Sequence, residues 1–134
     1  IDLADISDFF DRFVRPYSKK SEIERFEALS RSAKRDIERN NRNFENAIEE
    51  IRYLNFDVLF RQDWFVIDRF KKAAKTHFNY FDEVKYKTLI IRGENMIRAN
   101  DIDGLRSVLF ELSKIKINED NDYLLLDEIN IIKS

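Results

Sequence analysis

The fold is decided by the stretch from Asp82 to Leu112, which reads DEVKYKTLIIRGENMIRANDIDGLRSVLFEL. Apolar residues recur at helical spacing on both sides of a short polar link. Asn100 or Asp101 is suited to cap the second helix. Because the link is so short, the two helices should be antiparallel neighbours. The stretch therefore predicts a helical hairpin over residues 82–112.

The segment before the hairpin is dense in aromatic residues and predicts a core helix over about residues 58–78. Around Trp64 the apolar positions run nearly all the way round a helix, which is typical of a helix covered by several neighbours. A peptide-binding groove or a base-stacking platform is the alternative. Gly93 costs about 1 kcal/mol relative to alanine in mid-helix, so we expect a close approach of a crossing helix there. The predicted structural core comprises Phe60, Trp64, Phe70, Leu89, Gly93, Leu105 and Leu109.

Residues 21–56 predict one long helix. Ser21 and Glu24 form a capping-box pattern, and apolar or small residues then follow at alternating spacings of three and four. Such a seam can pair with a partner, and an asparagine in it can fix the register between helices. A kink or a rim position at Asn40 is the alternative. The candidate partner-binding residues are Phe26, Ile37, Asn40, Phe44 and Ile51, and a homodimer is possible.

The two ends of the chain should lie outside the bundle proper. Residues 1–20 predict a short helix and a connector, with Asp8/Arg12 and Asp11/Arg15 pairs on the outside and Pro16 at the end. Residues 113–134 predict a tail that is either docked or extended. The helical bundle is therefore expected to occupy residues 21–112.

Composition favours an all-α protein and excludes several classes of function. Two glycines and one proline in 134 residues provide little turn chemistry, so the elements should be few and long. The net charge of -2 gives no strong basic face, and acidic residues interrupt the basic row on residues 31–42, which we interpret as a solvated helix face with Glu27/Arg31 and Glu38/Arg42 pairs. We therefore expect no nucleic-acid partner. The lack of cysteines and of a long apolar run predicts a cytoplasmic protein with no membrane partner.

Motifs for catalysis or for metal and cofactor binding are not evident in the sequence. The single histidine, His77, has Ala74 three residues before it, where a di-metal bundle needs glutamate. The run from Asn118 to Asp122 starts like a calcium loop but lacks the required glycine and the bidentate glutamate. We predict no catalytic residue, no metal site and no cofactor. A small helical enzyme using carboxylates is the minor alternative.

Two segments of the chain carry a pattern that is found in a known family. Leu59 to Phe65 reads LFRQDWF, and Ile91 to Arg106 reads IRGENMIRANDIDGLR. An aromatic pair after Arg-x-x, a helix ending in a small residue plus Asn-Asp, and Leu-Arg in the next helix together resemble the C-terminal helical region of divergent bacterial DnaK-like chaperones of the heat-shock-70 family. The resemblance spans Val58 to Leu112 and carries over no nucleotide-binding or peptide-gripping residue.

The resemblance implies a lid-like or docking region that binds a client or a co-chaperone, with ATPase activity in a domain absent from this chain. The chain starts with Ile1 and its only methionine is Met96, so we expect the native start to lie upstream. The alternative prediction is a helical scaffold or adaptor module that mediates protein–protein interaction or self-association. Neither prediction assigns chemistry to this chain.

Overall fold

The computed structural model describes residues 2–117, and this part of the chain is all-α, which confirms the predicted fold class. The six α-helices described there are α1 (Leu3–Phe9), α2 (Lys20–Glu38), α3 (Phe44–Phe60), α4 (Asp63–Ala74), α5 (Glu83–Arg98) and α6 (Ile102–Lys114). They belong to two compact units, the N-terminal unit (residues 2–59) and the C-terminal unit (residues 60–117). This boundary differs from those expected after residues 20 and 112. The predicted tail from residue 118 onward lies outside the described residues.

The N-terminal unit begins with α1, a π-helical turn at Phe10–Val14 and a 3-10 turn at Arg15–Tyr17. The side chain of Asp2 caps α1 by accepting a hydrogen bond from the Asp5 N–H at 2.8 Å. Both predicted ion pairs are present, Asp8 with Arg12 at 3.4 Å and Asp11 with Arg15 at 2.8 Å. The apolar stripe of this segment is buried at Ile6, Phe9, Phe10 and Val14.

The single long helix predicted over residues 21–56 is wrong, because the chain turns between α2 and α3. Asn40 adopts a left-handed conformation with φ of 54°, and the Asn41 N–H donates to the Asp36 carbonyl at 2.8 Å. This hydrogen bond satisfies a carbonyl at the end of α2. The periodicity concealed the turn because spacings of three and four continue across it. The alternative of a kink at Asn40 was closer to the structure.

The start of α2 also differs from the predicted capping box. The helix begins at Lys20, and the carboxylate of Glu22 accepts a hydrogen bond from the Lys19 N–H at 2.8 Å. Ser21 and Glu24 therefore lie inside the helix. Of the two ion pairs predicted for this region, Glu38 and Arg42 are separated by the turn, and Glu27 instead faces Arg15 at 3.7 Å.

The core helix predicted over residues 58–78 is divided between two helices, since α3 ends at Phe60 and α4 runs from Asp63 to Ala74. The break exposes helix-end carbonyls that need donors. Arg106 of α6 provides them, with its Nε donating to the Phe60 carbonyl at 3.1 Å and its Nη2 to the Arg61 carbonyl at 3.1 Å. A residue that is distant in sequence therefore stabilises the break.

The predicted hairpin over residues 82–112 is confirmed by α5 and α6. Asn100 ends α5 with φ of 56°, and the Asp101 N–H donates to the Met96 carbonyl at 2.8 Å. The Asp101 carboxylate then caps α6 by accepting from the Gly104 N–H at 2.8 Å, so Asp101 is the cap of the two that the sequence allowed. Arg92 and Glu111 join the two helices through an ion pair at 3.0 Å.

The core of the C-terminal unit lies between α4 and the hairpin. Gly93 faces the aromatic ring of Phe70, and a Cβ atom at position 93 would overlap that ring. The predicted close approach is therefore present, although the neighbour is an aromatic side chain of α4 instead of a helix backbone. The buried residues of this core are Val66, Phe70, Ala73, Tyr86, Leu89, Leu105, Val108, Leu112 and Ile115.

Candidate functional site

The five residues predicted to bind a partner do not form one surface. Phe26 and Ile51 are buried, and Phe44 is half-buried at the start of α3. Ile37 and Asn40 are exposed, but they belong to the last turn of α2 and to the link that follows. The prediction of one continuous seam is wrong, because the turn at Asn40 divides its residues between α2 and α3.

Phe26 is held within the N-terminal unit by aromatic packing. Its ring stacks on that of Phe10, with centroids 3.8 Å apart and planes inclined by 9°. The guanidinium of Arg15 lies 5.3 Å from the Phe10 centroid and 6.0 Å from the Phe26 centroid. Aromatic and cation–π contacts of this kind stabilise a packed core, so Phe26 contributes to the interior of the N-terminal unit.

Most residues of the predicted core lie in the interior of the C-terminal unit, but Trp64 does not. Phe70, Leu89, Gly93 and Leu105 are buried, whereas Phe60 and Leu109 are half-buried. Trp64 is 44% exposed, so its assignment to the core is wrong. Because α4 begins at Asp63, Trp64 is at its second position, about 200° around the helix from buried Val66. An apolar pattern that surrounds a helix cannot indicate which side faces solvent.

Two segments meet at one end of the C-terminal unit and create the candidate site. The Phe81 N–H donates to the Ile115 carbonyl at 3.1 Å, and the Ile117 N–H donates to the Asn79 carbonyl at 2.7 Å. These bonds flank an antiparallel bridge between Tyr80 and Lys116. The 3-10 turn after α4 is therefore joined to the chain that leaves α6.

This end of the unit exposes large apolar side chains, which we name the end patch. Its members are Phe78 (66% exposed), Phe81 (67%), Val84 (77%) and Ile117 (57%). Isolated exposed apolar residues are common, but four of them on or next to two hydrogen-bonded segments are a feature of interaction sites. The end patch is therefore the candidate functional site.

A stacked pair of tyrosines, half-buried Tyr80 and buried Tyr86, adjoins the end patch, since Tyr80 directly precedes Phe81. The rings of Tyr80 and Tyr86 stack with centroids 4.7 Å apart, and the Tyr86 hydroxyl donates to the Ala73 carbonyl at 2.6 Å. Burial raises the pKa of Tyr86, and burial followed by the neighbouring Tyr86 raises the pKa of Tyr80. The raised pKa values favour the protonated hydroxyls, the form in which Tyr86 donates to Ala73.

Sequence reasoning missed the end patch because it assigned the aromatics of residues 56–81 to the core together. The signal that could have separated them was position relative to helix ends. Phe78 and Phe81 follow the last helical residue Ala74, where the 3.6-residue period no longer directs side chains inward. Ile117 is 36 residues further along the chain than Phe81, and only the hydrogen bonds across residues 79–81 and 115–117 bring them together.

Other arrangements in the described chain offer less to a ligand. Within residues 2–117, no group of three or more His, Asp and Glu side chains could hold a metal ion, and no helix is long and apolar enough to cross a bilayer. His77 is exposed, and its ring contacts that of Phe78 edge-on at 5.8 Å. The calcium-like run at Asn118 to Asp122 lies outside the described residues.

A groove along α1 and α2 in the N-terminal unit is the second candidate. Ser30 lies in it with a buried hydroxyl, and Leu3, Ala4 and Phe26 form its apolar floor. Its rim carries both signs of charge, because Glu27 lies beside the basic residues Arg31 and Lys34. This mixture selects no particular class of ligand, so the groove is a weaker candidate than the end patch.

Comparison with protein-family models, with curated proteins and with solved structures finds no match for this chain.

Proposed function

We propose that this chain is a non-catalytic protein-interaction module that presents its end patch to a partner protein. The observation that carries the proposal is the exposure of Phe78, Phe81 and Val84 beside Ile117. Covering such apolar surface provides about 25 cal/mol per Å², and aromatic residues are frequent among the side chains that dominate binding energy. The surrounding fold supplies a rigid base and leaves these side chains uncovered.

This proposal follows the prediction of an adaptor module, but it places the binding surface on the end patch and not on the predicted seam of residues 21–56. Two of the seam residues, Phe26 and Ile51, are buried, so pairing through them would require the N-terminal unit to open. The end patch requires no such opening. Self-association remains a form of the proposal in which the partner's surface belongs to a second copy of the chain.

The DnaK-like chaperone is the narrower form of the proposal, and it rests on the resemblance over Val58 to Leu112. In that form the end patch would contact a client or a co-chaperone in the cytoplasm, a reducing compartment in which a chain without cysteines needs no disulfides. Genomic sequence upstream of Ile1 tests this form directly. An encoded actin-like ATPase would support it, and a transcription unit without such an ATPase would remove it.

Site-directed photocrosslinking tests the general proposal. A benzophenone side chain at position 78 should give a discrete protein adduct in the producing cell, and Phe81→Ser should weaken the adduct. The matched control is the same group at Tyr53, which is exposed on α3 of the N-terminal unit. Adducts of equal yield from positions 78 and 53, or none from position 78, would contradict the proposal. Sedimentation would show whether an adduct of doubled mass reflects a dimer.

A further inference from the structure

The charges around the end patch identify the chemistry of its partner. Residues 71–87 and 114–117 contain seven lysines and two acidic residues, a formal charge of +5 in a chain whose net charge is -2. The bridge between Tyr80 and Lys116 places the segment 114–117, with two of these lysines, beside the segment that carries the other five. The apolar end patch therefore belongs to two segments, distant in the sequence, that both carry an excess of positive charge.

The two acidic residues of this region are already engaged within the unit. The Asp82 carboxylate caps α5 by accepting a hydrogen bond from the Lys85 N–H at 3.0 Å. Glu83 pairs with Lys87 at 3.1 Å one turn along the same helix. The acidic groups therefore have local roles, whereas the lysines at positions 71, 75 and 85, in the same segment as Phe78 and Phe81, are exposed.

We propose that the end patch binds an acidic amphipathic segment of a partner protein. This inference rests on the proposed function and specifies its partner. Apolar side chains of the segment cover Phe78, Phe81 and Ile117, and its Asp and Glu side chains face the lysines around them. Complementary charge of this kind increases the rate of encounter and favours partners of one charge pattern over others.

A single-stranded nucleic acid fits the same surface less well. Stacking of bases needs aromatic faces, whereas Val84 and Ile117 are aliphatic. Residues 71–87 and 114–117 also contain no arginine, the residue that combines phosphate binding with stacking. The rest of the chain is acidic and would repel a long polyanion. An anionic membrane would meet the same repulsion.

The inference is tested with three synthetic peptides of one amphipathic helical pattern and one apolar stripe. Their polar flanks carry glutamate, glutamine or lysine. Fluorescence anisotropy should show the glutamate peptide binding about tenfold more tightly than the glutamine peptide at low salt, with the difference shrinking as salt screens the charges. The lysine peptide should bind most weakly.

Variants separate the apolar contribution from the charged one. Phe78→Ser with Phe81→Ser should weaken binding of the glutamate and glutamine peptides alike. Lys75→Gln with Lys85→Gln should weaken binding of the glutamate peptide and leave binding of the glutamine peptide unchanged. Tyr53→Ser is the matched control, because it removes an exposed aromatic group from the N-terminal unit. All five substituted positions are exposed, and circular dichroism verifies that each variant keeps its helix content.

Each outcome decides between the inference and the proposed function. Equal binding of all three peptides, lost in the Phe78/Phe81 variant, would overturn the acidic segment and leave the protein-interaction module intact. Failure of the glutamate peptide to bind at millimolar concentration would also overturn the inference. Patch-dependent binding of a thymidine oligonucleotide, or of vesicles containing phosphatidylglycerol, without binding of any peptide would overturn both.

Discussion

The turns after α2 and after α5 use the same device to end a helix but lead to different structures. Asn40 and Asn100 have nearly equal left-handed φ angles of 54° and 56°, and in each turn the next N–H donates to a carbonyl five residues back at 2.8 Å. After Asn100, α6 begins at once and packs along α5. After Asn40, residues 41–43 form a polar link before α3 starts.

The difference teaches that a helix stop signal does not by itself make a hairpin. In the C-terminal unit, Asp101 starts the next helix directly, and Gly93 allows α5 to lie against the Phe70 ring. In the N-terminal unit, the Asn41 side chain is occupied by the Asn43 N–H at 3.0 Å, so it supports a local turn.

Removing the ring that Gly93 faces should have the largest effect. Phe70→Ala should destabilise the protein by about 3–5 kcal/mol, because it leaves a cavity between α4 and the hairpin. Urea denaturation followed by circular dichroism measures the loss. Trp64→Ala is the matched control on the same helix and should cost less than about 2 kcal/mol, since Trp64 is 44% exposed. Equal costs would mean that the hairpin does not depend specifically on Phe70.

Filling the space at Gly93 should have the next largest effect. Gly93→Ala should destabilise the protein by about 1–3 kcal/mol through overlap with the Phe70 ring, although alanine gains about 1 kcal/mol in helix propensity. The same denaturation experiment on Gly93→Ala, Phe70→Leu and the double variant gives a coupling energy. We expect a favourable coupling on the order of 1 kcal/mol. Strict additivity would show that the two residues do not compete for space.

The two asparagine turns should respond alike to one substitution. Asn40→Ala and Asn100→Ala should each cost about 1–2 kcal/mol, because alanine is strained in the left-handed region. The glycine variants at the same positions should be close to neutral. Thermal and urea unfolding measure the stability of the alanine and glycine variants at both positions. A cost at only one position would break the equivalence of the two turns.

The neighbouring caps should respond differently, which sharpens the contrast. Asp101→Ala should cost about 1 kcal/mol by leaving the Gly104 N–H without its cap. Asn41→Ala should cost only a few tenths of a kcal/mol, because the Asn41 side chain accepts a hydrogen bond in an exposed turn, where water can take its place. A larger loss at Asn41 than at Asp101 would contradict the assignment of the local turn.

Ion pairs between neighbouring helices should have the smallest effect. Glu111→Gln should cost no more than about 1 kcal/mol, since the Arg92–Glu111 pair is exposed, and salt should reduce the loss. Glu50→Gln removes the corresponding exposed pair with Arg25, which has a longer separation of 3.4 Å, and should cost less. Denaturation at low and high salt compares the two variants.

The hairpin was predictable because its signals are local. The Asn100–Asp101 pair, the apolar stripe of α6 and the short link lie within consecutive residues, so capping chemistry and periodicity indicate the same structure. The turn at Asn40 was harder because one asparagine in a continuing periodic pattern can occupy either a seam or a helix end. The break at Arg61 was harder still, since its stabilising donor is Arg106, 45 residues away.

By itself, the sequence determined that this protein is all-α, approximately where α5 and α6 begin and end, and which face of each is apolar. Those properties depend on capping and periodicity, which act over a few residues. Tertiary structure alone decided that Phe26 and Ile51 are buried, that Trp64 is partly exposed, and that Phe81 lies near Ile117. Exposure depends on which distant segment covers a side chain, and a helical period reports the direction of that side chain but not its neighbour.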